Sequence, residues 1–182
     1  MRMTKSLSFH LLEEVEMFRV SSIDIDPSAE LAHLRNPRAG ALVTFEGWVR
    51  NHHEGRDVLH LEYQAYEALC VNEAESLKAE VLKAHDVLDL ACVHRVGHSP
   101  IGTMAVWVGA TAEHRGSAFD ACEHYIDALK VRFPIWKRET YVDGEAEWVR
   151  CEACASHADT HGHDHSHSHV IPEGKKTASI QS

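Results

Sequence analysis

The sequence predicts an α+β fold: a mixed or antiparallel sheet carrying two main helices in a single domain. Two observations point there. Helices and strands alternate along the chain, but several of the connections are hairpins. The chain has 182 residues with 44% hydrophobic content, enough for one real core with tails.

Each element has a local reason. Phe18 to Ile25 partly alternates and reads as a strand. Asp26-Pro27-Ser28 is a helix start, followed by Glu30 and Leu31 to Leu34, and Asn36 to Gly40 is a turn. Ala41 to Val49 is a strongly apolar strand. Asn51 to Asp57 is a polar loop with two histidines, after which Val58 to Tyr63 alternates and returns as the partner strand. From Tyr66, apolar positions at Leu69, Cys70, Ala74, Leu77, Val81 and Leu82 keep helical spacing to about Ala84. Leu90 to Val96 and Thr103 to Thr111 are strands joined by the turn 97–102. The second main helix runs from about Gly116 to Arg132, with Phe119, Cys122, Ile126, Leu129 and Phe133 on its buried face. Ile135 to Val142 and Glu147 to Arg150 form a last hairpin around Asp143-Gly144. Residues 1–16 read as a flexible arm, 17–150 as the working domain, and 151–182 as a disordered tail in which nothing can form a core.

Composition narrows the function. A formal net charge of -10 argues against a general nucleic-acid binder, so any anion site must be a local pocket. No run of about 18 apolar residues marks a membrane span. Glu13, Glu14 and Glu16 follow the basic start where a secretory signal would place an apolar stretch. Five cysteines, three of them in apolar contexts, read as reduced thiols, and a cytoplasmic location is expected. There is no Walker loop, no dinucleotide-binding glycine motif and no Gly-x-Ser-x-Gly elbow. Cys122 falls on a buried helix face and reads as packing rather than as a nucleophile.

Against that acidic background, Lys130, Arg132, Lys137 and Arg138 place four cations within nine residues, interleaved with Leu129, Phe133, Pro134, Ile135 and Trp136. Pro134 cannot lie inside a continuing helix. Lys130 therefore belongs to a helix end and Lys137 to the segment leaving it, so the two can converge on one anion and depress each other's pKa. Taken singly, each also fits a lysine snorkelling beside the core. Trp48-Val49-Arg50 ends an apolar strand where sites are commonly built, although a lone arginine there also fits a surface ion pair. His114-Arg115 opens the second main helix, whose free N–H groups and dipole favour an anion, although taken alone the pair also fits a helix-start histidine and a solvated arginine. His94-Arg95 lies inside a strand, and a structural role is expected there, with the arginine at the sheet surface.

The tail carries Cys151 and Cys154, then His157, His161, His163, His165, His167 and His169. Thiolates and imidazoles together suit a divalent metal such as zinc or nickel, while the second knuckle of a zinc ribbon is missing.

In order along the chain, several motifs resemble the large, catalytic subunit of molybdopterin synthase. They are Phe45-Glu-Gly-Trp-Val-Arg50-Asn51, Leu61-Glu-Tyr63-x-x-Tyr66, His94-Arg-Val-Gly97, Ile101-Gly102, His114-Arg115, Ala118-Phe119, Asp127-x-Leu-Lys130 and Pro134-Ile-Trp-Lys137-Arg138-Glu139. The resemblance covers about residues 40–150 and includes neither the arm nor the tail. It implies a sulfurtransferase of molybdenum cofactor biosynthesis that converts cyclic pyranopterin monophosphate to molybdopterin. The sulfur would come from the C-terminal Gly-Gly thiocarboxylate of a small ubiquitin-like subunit. It implies a homodimer of large subunits with a small subunit at each end, and no cofactor required for catalysis. Carried over by position, Lys130 and Lys137 are catalytic, and Trp48, Val49, Arg50, His114, Arg115, Lys130, Lys137, Arg138 and Glu139 bind substrate. Arg115 and Lys130 lie fifteen residues apart on one unbroken helix, roughly 22 Å along its axis, too far for one pterin to touch both. Two antiparallel copies of the helix would resolve this, with His114 and Arg115 of one subunit completing the lysine site of the other. The competing reading is a non-catalytic metal-binding or storage protein that works through the Cys/His tail.

Overall fold

The computed structural model describes residues 17–150. The expectations for the arm, for Cys151 and Cys154, and for the six tail histidines lie outside the described residues.

Strand β1 (Phe18–Ser21) is shorter than expected, and the chain then turns into helix α1 (Pro27–His33). Asp26 caps that helix by accepting the Ser28 N–H, with proline in the first turn where its missing donor costs nothing. Next come β2 (Ala41–Trp48), β3 (His52–His53), β4 (Arg56–Ala65) and helix α2 (Glu67–Ala84). They are followed by β5 (Asp89–Arg95), β6 (Gly97–Pro100), β7 (Met104–Ala112), helix α3 (Arg115–Arg132), β8 (Ile135–Tyr141) and β9 (Ala146–Arg150).

The strands form two sheets rather than one. The first has the order β1-β5-β7-β2 and is mixed: β1 runs parallel to β5, and the other pairs are antiparallel. Every residue of β7 is buried, because the sheet is covered on both faces. Leu90, Cys92, Val108 and Ala110 join the main core with Cys70, Leu77, Tyr125 and Leu129 of α2 and α3. Ala91, Val93, Met104 and Trp107 meet Leu34 and Ile25 around α1 on the other side.

The second sheet has the order β3-β4-β8-β9, with β6 also paired to β4. Here the structure corrects the expectation that β4 returns beside β2. The polar segment after β2 folds as its own hairpin: His53 pairs with Arg56 across Glu54 (φ 49) and Gly55 (φ 78). Two successive positive φ values are what a tight two-residue hairpin needs. That hairpin aims β4 away from β2 and toward β8, over a register from Val58↔Tyr141 to Ala65↔Ile135. Phe119 is a second correction: it is 59% exposed at the margin of α3, whereas Cys122, Ile126 and Leu129 are buried as expected. No helix among the described residues is long and apolar enough to cross a membrane.

Candidate active site

The two sheets and α3 meet around a cavity of about 160 Å³ lined by Trp48, Tyr63, His94, Lys130 and Lys137 over an apolar floor that includes Phe45 and Ile126. Three elements bring the two lysines and Trp48 there. Helix α3 ends at Phe133, whose extended backbone (ψ 134) is what a residue before proline adopts. Lys130 therefore falls in the last helical turn, where the dipole favours a cation, with Nζ 5.9 Å from the Phe45 ring centroid. Pro134 turns the chain into β8, and Lys137 enters the cavity wall from there, only 7% exposed. A register shift between Gly47 and Trp48 ends the regular pairing of β2 with β7. Such an irregularity re-aims a side chain, and Trp48 is left 56% exposed at the cavity mouth.

Lys137 is anchored by a buried carboxylate. Its Nζ donates to Glu139 Oε1 at 2.6 Å, and Glu139 is 3% exposed. The other oxygen of Glu139 accepts from Tyr141 Oη and contacts His53 Nδ1 at 2.8 Å. Burial pushes the Glu139 carboxyl up. The hydrogen bonds from Lys137 and Tyr141 and the charges of Lys137 and His53 outweigh that and hold it below the ordinary carboxylate value. Tyr141, bonded to that carboxylate and partly desolvated, is pushed up to about 12 and stays neutral.

Arg138, expected to bind substrate beside Lys137, does not line this cavity. Strand alternation puts Arg138 on the opposite face of β8, exposed and 3.8 Å from Glu62. Arg132 is likewise drawn off, to Glu73 at 3.1 Å and Glu80 at 2.8 Å on α2. Val49 is 2% exposed and fixed in the core, its N–H bonded to Thr103 O and its carbonyl to Gly102 N, so its side chain is packing. Arg50 is exposed in the segment after β2. Glu139 belongs to the site as the anchor of Lys137.

His114 and Arg115 are exposed at the far end of α3 and do not line the lysine cavity. His114 takes the N-cap position without a side-chain capping bond. Between the two ends, a more open cavity of about 470 Å³ runs along α3 against β2, past Phe119, Cys122, Ile126 and Asp127 to Lys130. Burial pushes the Cys122 thiol up to about 11, which keeps it a packing residue.

Sequence reasoning missed His94. It is 4% exposed, its ring meets Tyr63 edge-on at 5.2 Å between centroids, and it lines the cavity wall. Burial lowers it to about 4, against the opposing effect of its 2.8 Å bond to the Arg95 carbonyl. A carbonyl can only accept, so Nδ1 carries the proton of a neutral ring and Nε2 keeps a lone pair. The available signal was the run Cys92-Val-His-Arg95, polar residues continuing a buried strand. Arg95 is also buried, paired with Asp24 and bonded to the His98 carbonyl, rather than lying at the sheet surface.

Fold and site together define a small α+β protein with one partly buried and one buried lysine converging on an aromatic-walled cavity in an acidic chain. The comparisons with known proteins agree. A family model described as "MoaE protein" matches residues 20–132. The molybdopterin synthase catalytic subunit of Oryza sativa subsp. indica is 41% identical over 131 residues, covering 72% of this chain and 68% of the relative. That of Thermoplasma volcanium is 39% identical over 129 residues, covering 71% of this chain and 94% of the relative. Among solved structures, molybdopterin synthase from Staphylococcus aureus superposes with a TM-score of 0.68 at 30% identity, covering 73% of this chain and 96% of that one. The MoaE protein from Burkholderia ambifaria gives 0.65 at 36% identity, covering 78% and 96%. The chain belongs to the MoaE family.

Proposed function

We propose that this chain is the catalytic subunit of a molybdopterin synthase. It would convert cyclic pyranopterin monophosphate to the dithiolene molybdopterin with sulfur from the C-terminal Gly-Gly thiocarboxylate of a small ubiquitin-like partner. The observation that carries this reading is the convergence of Lys130 and Lys137 on one aromatic-walled cavity, in a chain whose relatives bear that enzyme's name.

The geometry supports a division of labour. Lys130, at the helix end over Phe45, supplies a cation for the phosphate or for the incoming thiocarboxylate. Trp48 and Tyr63 offer aromatic faces to the pterin ring. Lys137 is positioned to move protons, and neutral His94 offers a lone pair across the same cavity. The open cavity along α3 gives an extended C-terminal tail a route to Lys130. His114 and Arg115 act on a neighbouring subunit's cavity in a homodimer, because α3 separates them from Lys130 of their own chain by roughly 22 Å. No cofactor enters this scheme. Zinc or nickel binding is assigned to Cys151, Cys154 and the tail histidines as a separate property.

A metal-storage role draws no support from the relatives. Deleting residues 151–182 separates the two readings, since a synthase keeps its turnover without them. The direct test mixes the purified chain with a thiocarboxylated small subunit and the cyclic pterin and assays the dithiolene product. Formation of molybdopterin supports the proposal. Partner binding without product marks a scaffold instead.

A further inference from the structure

Glu139 joins the catalytic cavity to the protein surface. One of its oxygens holds Lys137 Nζ at 2.6 Å, and the other is shared by Tyr141 Oη and His53 Nδ1 at 2.8 Å. Of these three partners, Lys137 and Tyr141 are buried, whereas the His53 side chain is 20% exposed. His53 lies on β3 at the base of the Glu54–Gly55 turn, so its position is set by a two-residue hairpin.

The three partners differ in chemistry. Tyr141 stays neutral through the physiological range. Histidine is the side chain whose charge changes within that range. When His53 is neutral, the full negative charge of Glu139 is available to the Lys137 ammonium. When His53 is protonated, two cations compete for one carboxylate, and Lys137 gives up its proton more readily. Beside His53, Arg56 of β4 lies over the Tyr141 ring at 3.7 Å and is paired at 2.7 Å with both Asp143 and Glu145 in the β8–β9 turn. Facing Lys137 across the cavity are Tyr63 of β4, Lys130 of α3 and His94 of β5, and His94 remains neutral down to about 4.

We propose that His53 is a positioning residue for Lys137, acting through Glu139: its own proton sets how firmly the carboxylate holds the lysine as an ammonium. The inference rests on the catalytic role of Lys137 given above and adds to it a source of pH dependence lying outside the cavity. It needs no net proton transfer through Glu139, which stays a carboxylate throughout.

The test compares the full-length wild type with His53→Gln, which keeps a neutral donor, and His53→Ala, which keeps neither donor nor charge. Lysines are labelled with ¹³C at Cε, and the Lys137 resonance is assigned by its loss in Lys137→Ala. In wild type, this resonance should show an inflection at the pH where the His53 ring protons titrate, and in His53→Gln that inflection should vanish. In the reconstituted reaction, His53→Gln should match wild type at pH 8. At pH 6 it should turn over roughly three- to ten-fold more slowly, with KM for the pterin within about twofold. His53→Ala should be slower at both pH values and be rescued at pH 8 by glutamine. An inflection that persists in His53→Gln, or is absent from wild type, overturns the proposal whether or not the enzyme turns over. A coupled titration without turnover in wild type would instead sink the synthase reading and leave the coupling standing.

Discussion

Replacing Glu139 with glutamine tests the electrostatic core of the site. Glutamine keeps the shape and one acceptor oxygen but removes the carboxylate charge paired with Lys137 Nζ, in a pair whose side chains are 9% and 4% exposed. Breaking a buried pair by removing one partner leaves an uncompensated buried charge and costs about 3–5 kcal/mol. Solvent reaches the site through the cavity, so the lower end applies, about 3 kcal/mol, or a fall in Tm of about 10 °C for a domain of this size. The pH dependence has a definite sign. Glu139 titrates below its ordinary value of 4.5 in the folded protein, so its contribution is fully present above that value and is lost as pH falls through the lower, folded one. The difference between wild type and Glu139→Gln should therefore persist from pH 7 to pH 5 and shrink below about 4.5. Burial of neutral His94 destabilises both proteins in acid and cancels in the comparison. Urea unfolding at pH 7, 5 and 3.5 reads the effect. A difference under about 1 kcal/mol at pH 7 would show that the Lys137–Glu139 pair is solvated and that the anchoring argument is wrong.

Three further outcomes follow from other parts of the molecule. Mixing an Arg115→Ala chain with a Lys137→Ala chain, under conditions that allow subunit exchange, should restore up to about half of the wild-type activity per heterodimer, because one of two shared sites is then intact. No recovery with demonstrated heterodimers places each site within one chain. Gly109→Ala should destabilise the fold by about 1–3 kcal/mol or more, read by thermal denaturation, since the new Cβ would lie 2.4 Å from the Trp107 ring and 2.5 Å from Leu34 Cδ1. A peptide covering residues 148–170 should bind zinc or nickel at pH 7.5 and release it at pH 5.5, because thiols and imidazoles bind metal in their deprotonated forms. Equal binding at both pH values would count against the tail as a chelator.

The lysine pair was legible because Pro134 is a hard stop: a helix cannot run through it, so Lys130 and Lys137 had to leave on different backbone directions. The two main helices were legible from spacing, and the resemblance to the molybdopterin synthase catalytic subunit from motif order. The pairing of β4 was not legible. Its local pattern fits a hairpin with β2 as well as the observed pairing with β8, and the choice depends on a tight turn at Glu54–Gly55 and on contacts some eighty residues away. Arg138 could have been placed correctly, since alternation along β8 puts it opposite Lys137 once that segment is read as a strand. His94 could not be separated from an ordinary buried histidine, because its value to the site comes from what Lys137 and Tyr63 bring to the same cavity. His53 was invisible for the same reason: only the fold sets it beside Glu139, 86 residues away.

The central claim is that chemistry occurs at Lys137 within this cavity. Its most direct test is single-turnover dithiolene formation by Lys137→Ala, with circular dichroism confirming the fold and an excess of thiocarboxylated partner confirmed to bind. Loss of a proton-transfer group predicts a rate lower by a factor of about 10² to 10⁴. Turnover near the wild-type rate in a folded, partner-bound Lys137→Ala protein would contradict the account.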